Sequence, residues 1–112
     1  MVEIGRDLVR RFTIDSSRVI DFMGPEIRVY ATPSMIADAE MACHDLLFAM
    51  IGPGQDSVGT YVEFFHVGSA QIESEVALRV ATVSSTDRRV TFEVAFVCCD
   101  KVIGHGRHQR AI

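Results

Sequence analysis

Tryptophan is missing from the sequence, tyrosine occurs twice beside seven phenylalanines, and there is no run of lysine or arginine. Nucleic-acid recognition needs a basic stripe, aromatic stacking platforms or both, so no nucleic-acid partner is expected. No window approaches the roughly 20 consecutive apolar residues that span a bilayer, which excludes a membrane helix. The N-terminal MVEIGRDLVRRF scatters charges where a signal peptide carries an apolar run of about 7–15 residues. Three cysteines are an odd number, and Cys98 and Cys99 are adjacent, a poor disulfide framework. Neighbours on a strand point to opposite faces, so these two thiols are expected to diverge. A reduced, soluble, cytoplasmic protein follows. Repeats, low-complexity tracts and linkers are also lacking, which leaves one domain over residues 1–112.

What is present is ordinary globular composition, 48% apolar and 23% charged with a net charge of −4. Leu8 to Ile14 (LVRRFTI) forms a first strand with imperfect alternation. A loop-like stretch follows and ends at Gly24-Pro25, a turn signal. After an extended piece, residues 27–31, comes ATPSMIADAEMACHDLLFAM, a long helix. Its start is marked by Thr32, expected to cap with its hydroxyl, and by Pro33, whose missing N–H costs nothing there. Gly52-Pro53-Gly54 is expected to stop it. Four strands follow, over 58–67, 73–85, 88–99 and 102–112, with turns at Ser85-Thr86-Asp87 and Asp100-Lys101. The third alternates most cleanly, with Val90, Phe92, Val94, Phe96 and Cys98 on one face.

Strand, loop, long helix and four more strands specify an α+β domain: an antiparallel sheet of about five strands on one helix. The helix is apolar almost all round (Met35, Ile36, Ala39, Met41, Cys43, Leu46, Leu47, Phe48, Met50), so most of its sides must be covered. A curling sheet covers part of it, and a second copy the rest. This is the layout of a hot-dog fold, in which two protomers pair.

Glu40 stands in the middle of this apolar helix, on one face with Ile36 and His44. An ionised carboxylate buried without partners is very costly. Either Glu40 lies on a narrow solvated stripe with Asp38, His44 and Asp45, or it lines a cleft as a base or as a group that positions a nucleophile. His66 closes the face of Val58, Thr60, Val62 and Phe64. It is a packed core or edge histidine unless an acid or hydroxyl accompanies it. Glu63 faces the other way, as a surface charge. In GHGRHQR, His105, Arg107 and Gln109 share one face, and His108 and Arg110 the other. That spacing matches no zinc pattern. An arginine there clamps a phosphate or carboxylate, or solvates an edge strand. Cys43 and Cys98 fall on apolar faces without an activating neighbour, as core residues.

Three segments in order, ATPSMIADAEMAC, VGTYVEFFHV and GHGRHQRAI, resemble the fluoroacetyl-CoA-specific thioesterase-like branch of the hot-dog superfamily. The resemblance runs from Ala31 to the end of the chain. It implies catalytic roles for Thr32 at the helix start, Glu40 eight residues later and His66 at the end of the next strand. It also implies substrate binding by Gly59 and Arg110. The family's fluorine selectivity depends on aromatic residues in a lid before the helix. The corresponding DFMGPEIRVY has Phe22 as its only aromatic upstream of Tyr30.

The implied activity is hydrolysis of a short-chain acyl-CoA by a homodimer, or by dimers paired into a tetramer. No metal or cofactor is implied beyond the coenzyme A of the substrate. Imidazole ordinarily titrates near neutrality, which suits a general base. Glu40 or Thr32 is the nucleophile. Eight helical residues rise about 12 Å, so Thr32 and Glu40 meet only if the helix begins late or a partner supplies one of them. The rival readings are a hot-dog dehydratase or hydratase, and a non-catalytic acyl-CoA-binding or structural dimer.

Overall fold

The computed structural model describes residues 2–112. Its elements are β1 (Asp7–Thr13), α1 (Thr32–Phe48), β2 (Val58–His66), β3 (Glu75–Thr86), β4 (Arg89–Cys98) and β5 (Lys101–Ala111). All strand pairs are antiparallel, in the order β1-β3-β4-β5-β2. Tight turns join β3, β4 and β5 into a meander, and β1 and β2 are added at its two edges. The helix lies against this sheet and touches β1, β2, β3 and β5. This is the hot-dog layout.

Alternation builds the inner face. Val76, Leu78 and Val80 of β3 and Val90, Phe92, Val94, Phe96 and Cys98 of β4 are buried against Met35, Ala39, Ala42, Cys43, Leu46 and Leu47 of α1. Each large side chain so buried contributes about 1.5–3 kcal/mol. The opposite side of the helix is bare, and Met41 and Phe48 are more than half exposed. Tyr30 anchors the loop that leads into α1. Its ring meets Phe12 and Phe96 edge-on, with centroids 6.1 and 6.0 Å away. Its hydroxyl donates to Asp38, which Arg18 also grips from 2.9 Å. Burial, reinforced by Asp38, pushes the phenol's pKa up, so Tyr30 stays a donor.

Three local expectations are corrected. Thr32 does not cap the helix: the N-cap is Ala31 and no side chain caps it. The Thr32 hydroxyl is spent on another partner, described below. The helix also ends at Phe48, before Gly52-Pro53-Gly54. Beyond it the Met50 N–H bonds the Leu47 carbonyl at 2.9 Å, a tightening that closes the last turn. Finally, the Cys98 and Cys99 thiols do not diverge. Cys99 and Asp100, with φ of 53° and 63°, are the two central residues of the β4–β5 hairpin, one position earlier than expected. Both have the positive φ that a two-residue hairpin requires. Cys99 is therefore off the strand, and its sulfur lies 3.8 Å from that of Cys98, both thiols free.

Pairing of β2 with β5 depends on Gly106. A Cβ there would lie 2.0 Å from the Glu63 carbonyl oxygen and 2.9 Å from the Phe64 Cα, both backbone atoms. Gly106→Ala is expected to destabilise the fold by about 1–3 kcal/mol, the usual cost of forced overpacking. Urea denaturation reads this as a lower midpoint at unchanged slope. An unmoved midpoint would mean that the two strands separate there at no cost.

Candidate active site

The sequence-derived candidates gather into two clusters along one side of α1. At its start, the Thr32 Oγ1 lies 2.7 Å from the Nδ1 of His66, the last residue of β2. With Ala31 at the N-cap and Thr32 already inside the helix, the hydroxyl is left for this bond. It also supplies the hydroxyl partner without which His66 would be a plain strand-end histidine. The ring opens onto a shallow hollow of about 320 Å³ lined by Val29, Tyr30, Val67, Gly68 and Ser69.

The second cluster lies at the other end of β2. Glu40, half-buried, faces Gly59: a Cβ on Gly59 would come within 3.0 Å of Glu40 Oε2 and of His108 Cε1. Only glycine leaves both side chains where they are. Across the ladder Gly59 pairs with Arg110, a residue only 6% exposed. Arg110 donates to the Ser57 hydroxyl at 2.8 Å, the Ser57 carbonyl at 2.9 Å and the His108 ring at 3.1 Å. Glu40, Gly59 and Arg110 are thus brought together, while Thr32 and His66 form a separate pair. The helix rise keeps the two groups about 12 Å apart along α1.

One bland reading is overturned. Arg110 does not solvate an edge, because β5 lies inside the sheet between β4 and β2. Along the helix, Asp38 is engaged by Arg18 and Tyr30, and Asp45 by Arg10 and His44, while Glu40 stays half-buried beside Gly59. The sequence reading missed Ser57 and His108. The signal for His108 was its shared face with Arg110, and for Ser57 there was none. The two histidines of GHGRHQR do not converge, since His105 is exposed and stacks on Phe65 while His108 is buried.

The family model for FlK, the fluoroacetyl-CoA-specific thioesterase, matches residues 14–112. The chain belongs to this family. Among solved structures it is similar to the fluoroacetyl-CoA thioesterase FlK, at 24% identity and a TM-score of 0.88, covering 99% of this chain and 87% of that one. A point mutant of FlK in complex with fluoroacetate and CoA is similar at 24% identity and a TM-score of 0.86, covering 98% and 94%. A thioesterase superfamily member from Thermus thermophilus is similar at 23% identity and a TM-score of 0.88, covering 99% and 83%. At these identities the structures establish the hot-dog fold. Among curated proteins none matches by sequence. No helix among the described residues is long and apolar enough to cross a membrane.

In this member of the FlK family the segment before α1 carries Phe22 and Met23, 79% and 53% exposed. Tyr30, the next aromatic, belongs to the core. The segment after α1 is held to the helix by His44. Its Nδ1 is 2.9 Å from Asp45 Oδ1, and its Nε2 is 2.8 Å from Asp56 Oδ1. Asp56 Oδ1 also accepts the Ser57 N–H at 2.7 Å. The His44 clamp therefore sets the position of Ser57, on which Arg110 rests.

These contacts make the clamp pH-sensitive. The hydrogen bond with Asp45, and then that with Asp56, raises the His44 pKa above its usual 6.5. Asp45 is held low chiefly by Arg10, and Asp56 by the Ser57 N–H, so both stay ionised throughout. A histidine whose pKa rises on folding contributes stability that is complete below its unfolded pKa and is lost as pH climbs through the folded one. Asp56→Asn is therefore expected to lower the thermal midpoint at about pH 5.5 more than at about pH 9. An equal loss at both pH values would mean that His44 is uncharged in the clamp.

Proposed function

We propose that this protein hydrolyses short-chain acyl-CoA thioesters to the free acid and coenzyme A, at a site completed by a second copy of the chain. The observation that carries this reading is the 2.7 Å bond between Thr32 Oγ1 and His66 Nδ1. A hydroxyl in direct contact with an imidazole is the geometry an activated nucleophile needs. It favours Thr32 over Glu40 as the attacking group. His66 takes the hydroxyl proton as Thr32 attacks the thioester carbonyl, and returns it to the departing coenzyme A thiolate. Water, deprotonated by the same imidazole, then attacks the Thr32 ester, and the imidazolium returns that proton to the Thr32 oxygen as the acid leaves. Glu40 stabilises the imidazolium formed in each half-reaction. Gly59, lacking a side chain, lets the acyl group approach the main chain, and Arg110 holds its far end.

Glu40 reaches His66 through dimerisation. Strand β2 is an edge strand, and Val58, Tyr61, Val62 and Phe65 on it are 43–66% exposed. Antiparallel pairing of β2 with a second β2 would cover these residues and abolish the open edge. A two-fold pairing brings the start of one β2 beside the end of the other. The Glu40–Gly59–Arg110 cluster of one copy then stands against the Thr32–His66 pair of its partner. The helix rise that separates the two clusters in one chain ceases to be an obstacle.

Coenzyme A release measured across acetyl-, fluoroacetyl-, butyryl- and octanoyl-CoA is expected to show turnover on the shorter acyl groups. His66→Ala should lower it by about 10²–10⁴-fold, the usual loss of a general base. Affinity without release would indicate a binding module, and a hydrated acyl chain still on coenzyme A would indicate a hydratase. The shared site has its own test. Glu40→Gln and His66→Ala, each inactive alone, should recover about a quarter of wild-type activity when unfolded and refolded together in equal amounts. Half of the resulting dimers are mixed, and each of these carries one intact site. No recovery, with mixed dimers present, would place the whole site within one chain.

A further inference from the structure

His108 was absent from the sequence-derived site, yet it is 2% exposed and packed at the centre of the Arg110 cluster. Its Nδ1 lies 2.9 Å from the Tyr61 carbonyl oxygen, and its Nε2 lies 3.1 Å from Arg110 Nη1. A carbonyl oxygen only accepts, so Nδ1 carries a proton. A guanidinium only donates, so Nε2 carries a lone pair. Two independent partners thus select the same neutral tautomer. The ring is further fixed by stacking on Phe92, at 6.4 Å and 28°. We propose that His108 is a positioning residue: a neutral imidazole whose Nε2 lone pair holds one arm of the Arg110 guanidinium in place beside Gly59 and Glu40. This deepens the hydrolase reading and rests on it for the role of Arg110.

A second proton on the ring would sit on Nε2. It would remove the acceptor and set two cations 3.1 Å apart, so acidification releases Arg110 from its mount. The charged groups that act on the ring are Arg110 from β5 and Glu40 from α1. Phe92 of β4 stacks on it, and β2 offers the Tyr61 carbonyl and the bare backbone of Gly59, neither of which titrates. Glu40 attracts a proton to His108, but burial outweighs it and the imidazole pKa lies below its ordinary value. The neutral form therefore persists where catalysis needs it.

Two measurements test the proposal independently. In the full-length chain with ¹⁵N-labelled histidine, ring nitrogen shifts are expected to show His108 protonated on Nδ1 alone and titrating below the ordinary imidazole range. A proton on Nε2 at neutral pH would overturn the assignment whether or not the protein is a thioesterase. In the kinetic test, His108→Leu removes the acceptor and is expected to lower kcat/KM by about tenfold to a hundredfold, as loss of a hydrogen bond to a charged group does. His108→Gln restores a neutral acceptor at the Nε2 position and should recover most of that loss. Folded Leu and Gln variants of equal activity would show that the lone pair is not what matters. If His108→Leu does not fold, the tautomer and the His108→Gln kinetics decide. Failure of wild type to hydrolyse any thioester would remove the hydrolase reading while leaving the tautomer result to stand or fall alone.

Discussion

A buried guanidinium is the constraint around which this molecule is organised. Arginine cannot shed its proton inside a protein, so burying Arg110 obliges the fold to supply acceptors at its fixed donor directions. Three neutral ones meet it directly, two from Ser57 and one from His108. Each of these is held in turn. Ser57 is set by Asp56, Asp56 by His44, and His44 by its place on α1. His108 is held by the Tyr61 carbonyl on the neighbouring strand. One charge at the end of β5 thereby dictates the course of the segment between α1 and β2, and couples the helix to the sheet through polar contacts as well as apolar ones. Cooperation of this kind makes such networks worth more than their separate bonds, and costly when only partly satisfied.

The apolar half of the structure serves a different purpose. The rows of valine and phenylalanine on β3 and β4 are generic packing, and fix the height at which α1 lies above the sheet. The helix crosses β2 so that its start meets the strand's end and its middle meets the strand's beginning. That crossing lays out the polar residues as two separate groups, one a hydroxyl–imidazole pair and the other an acid beside a guanidinium. Nothing in the hydrophobic pattern distinguishes this arrangement from any other helix on a sheet. Its chemistry comes from the handful of positions where a polar side chain interrupts an apolar face.

Much of the fold was legible because it depends on local periodicity. The alternation of Val90, Phe92, Val94, Phe96 and Cys98 names its own strand and its own inner face, and the apolar run from Met35 to Met50 names the helix. Expectations failed where long-range contacts decide. Thr32 has the composition of a cap, but the N-cap falls one residue earlier, at Ala31, and the Thr32 hydroxyl bonds a histidine from another element. Arg110 suited an edge strand equally well until the strand order put β5 inside the sheet. Of the candidate site, Glu40 and His66 drew notice as polar interruptions of apolar faces, and the family resemblance added Thr32 and Gly59 and assigned a role to Arg110. Ser57 could not be found this way, because it acts through a carbonyl and a hydroxyl that any loop residue of its type would offer.

The strand order also has a temporal consequence. β1 completes its ladder only with β3, and β2 only with β5, whereas β3 pairs with β4 and β4 with β5, each the next strand made. During synthesis β2 emerges about 35 residues before the first residue of its partner, an interval of roughly 2–7 s at ordinary elongation rates. Throughout that time an apolar strand with two unpaired edges is exposed at the ribosome. The nascent chain is therefore most vulnerable to misassociation just before the eleven residues of β5 appear, and those are the residues that carry His108 and Arg110.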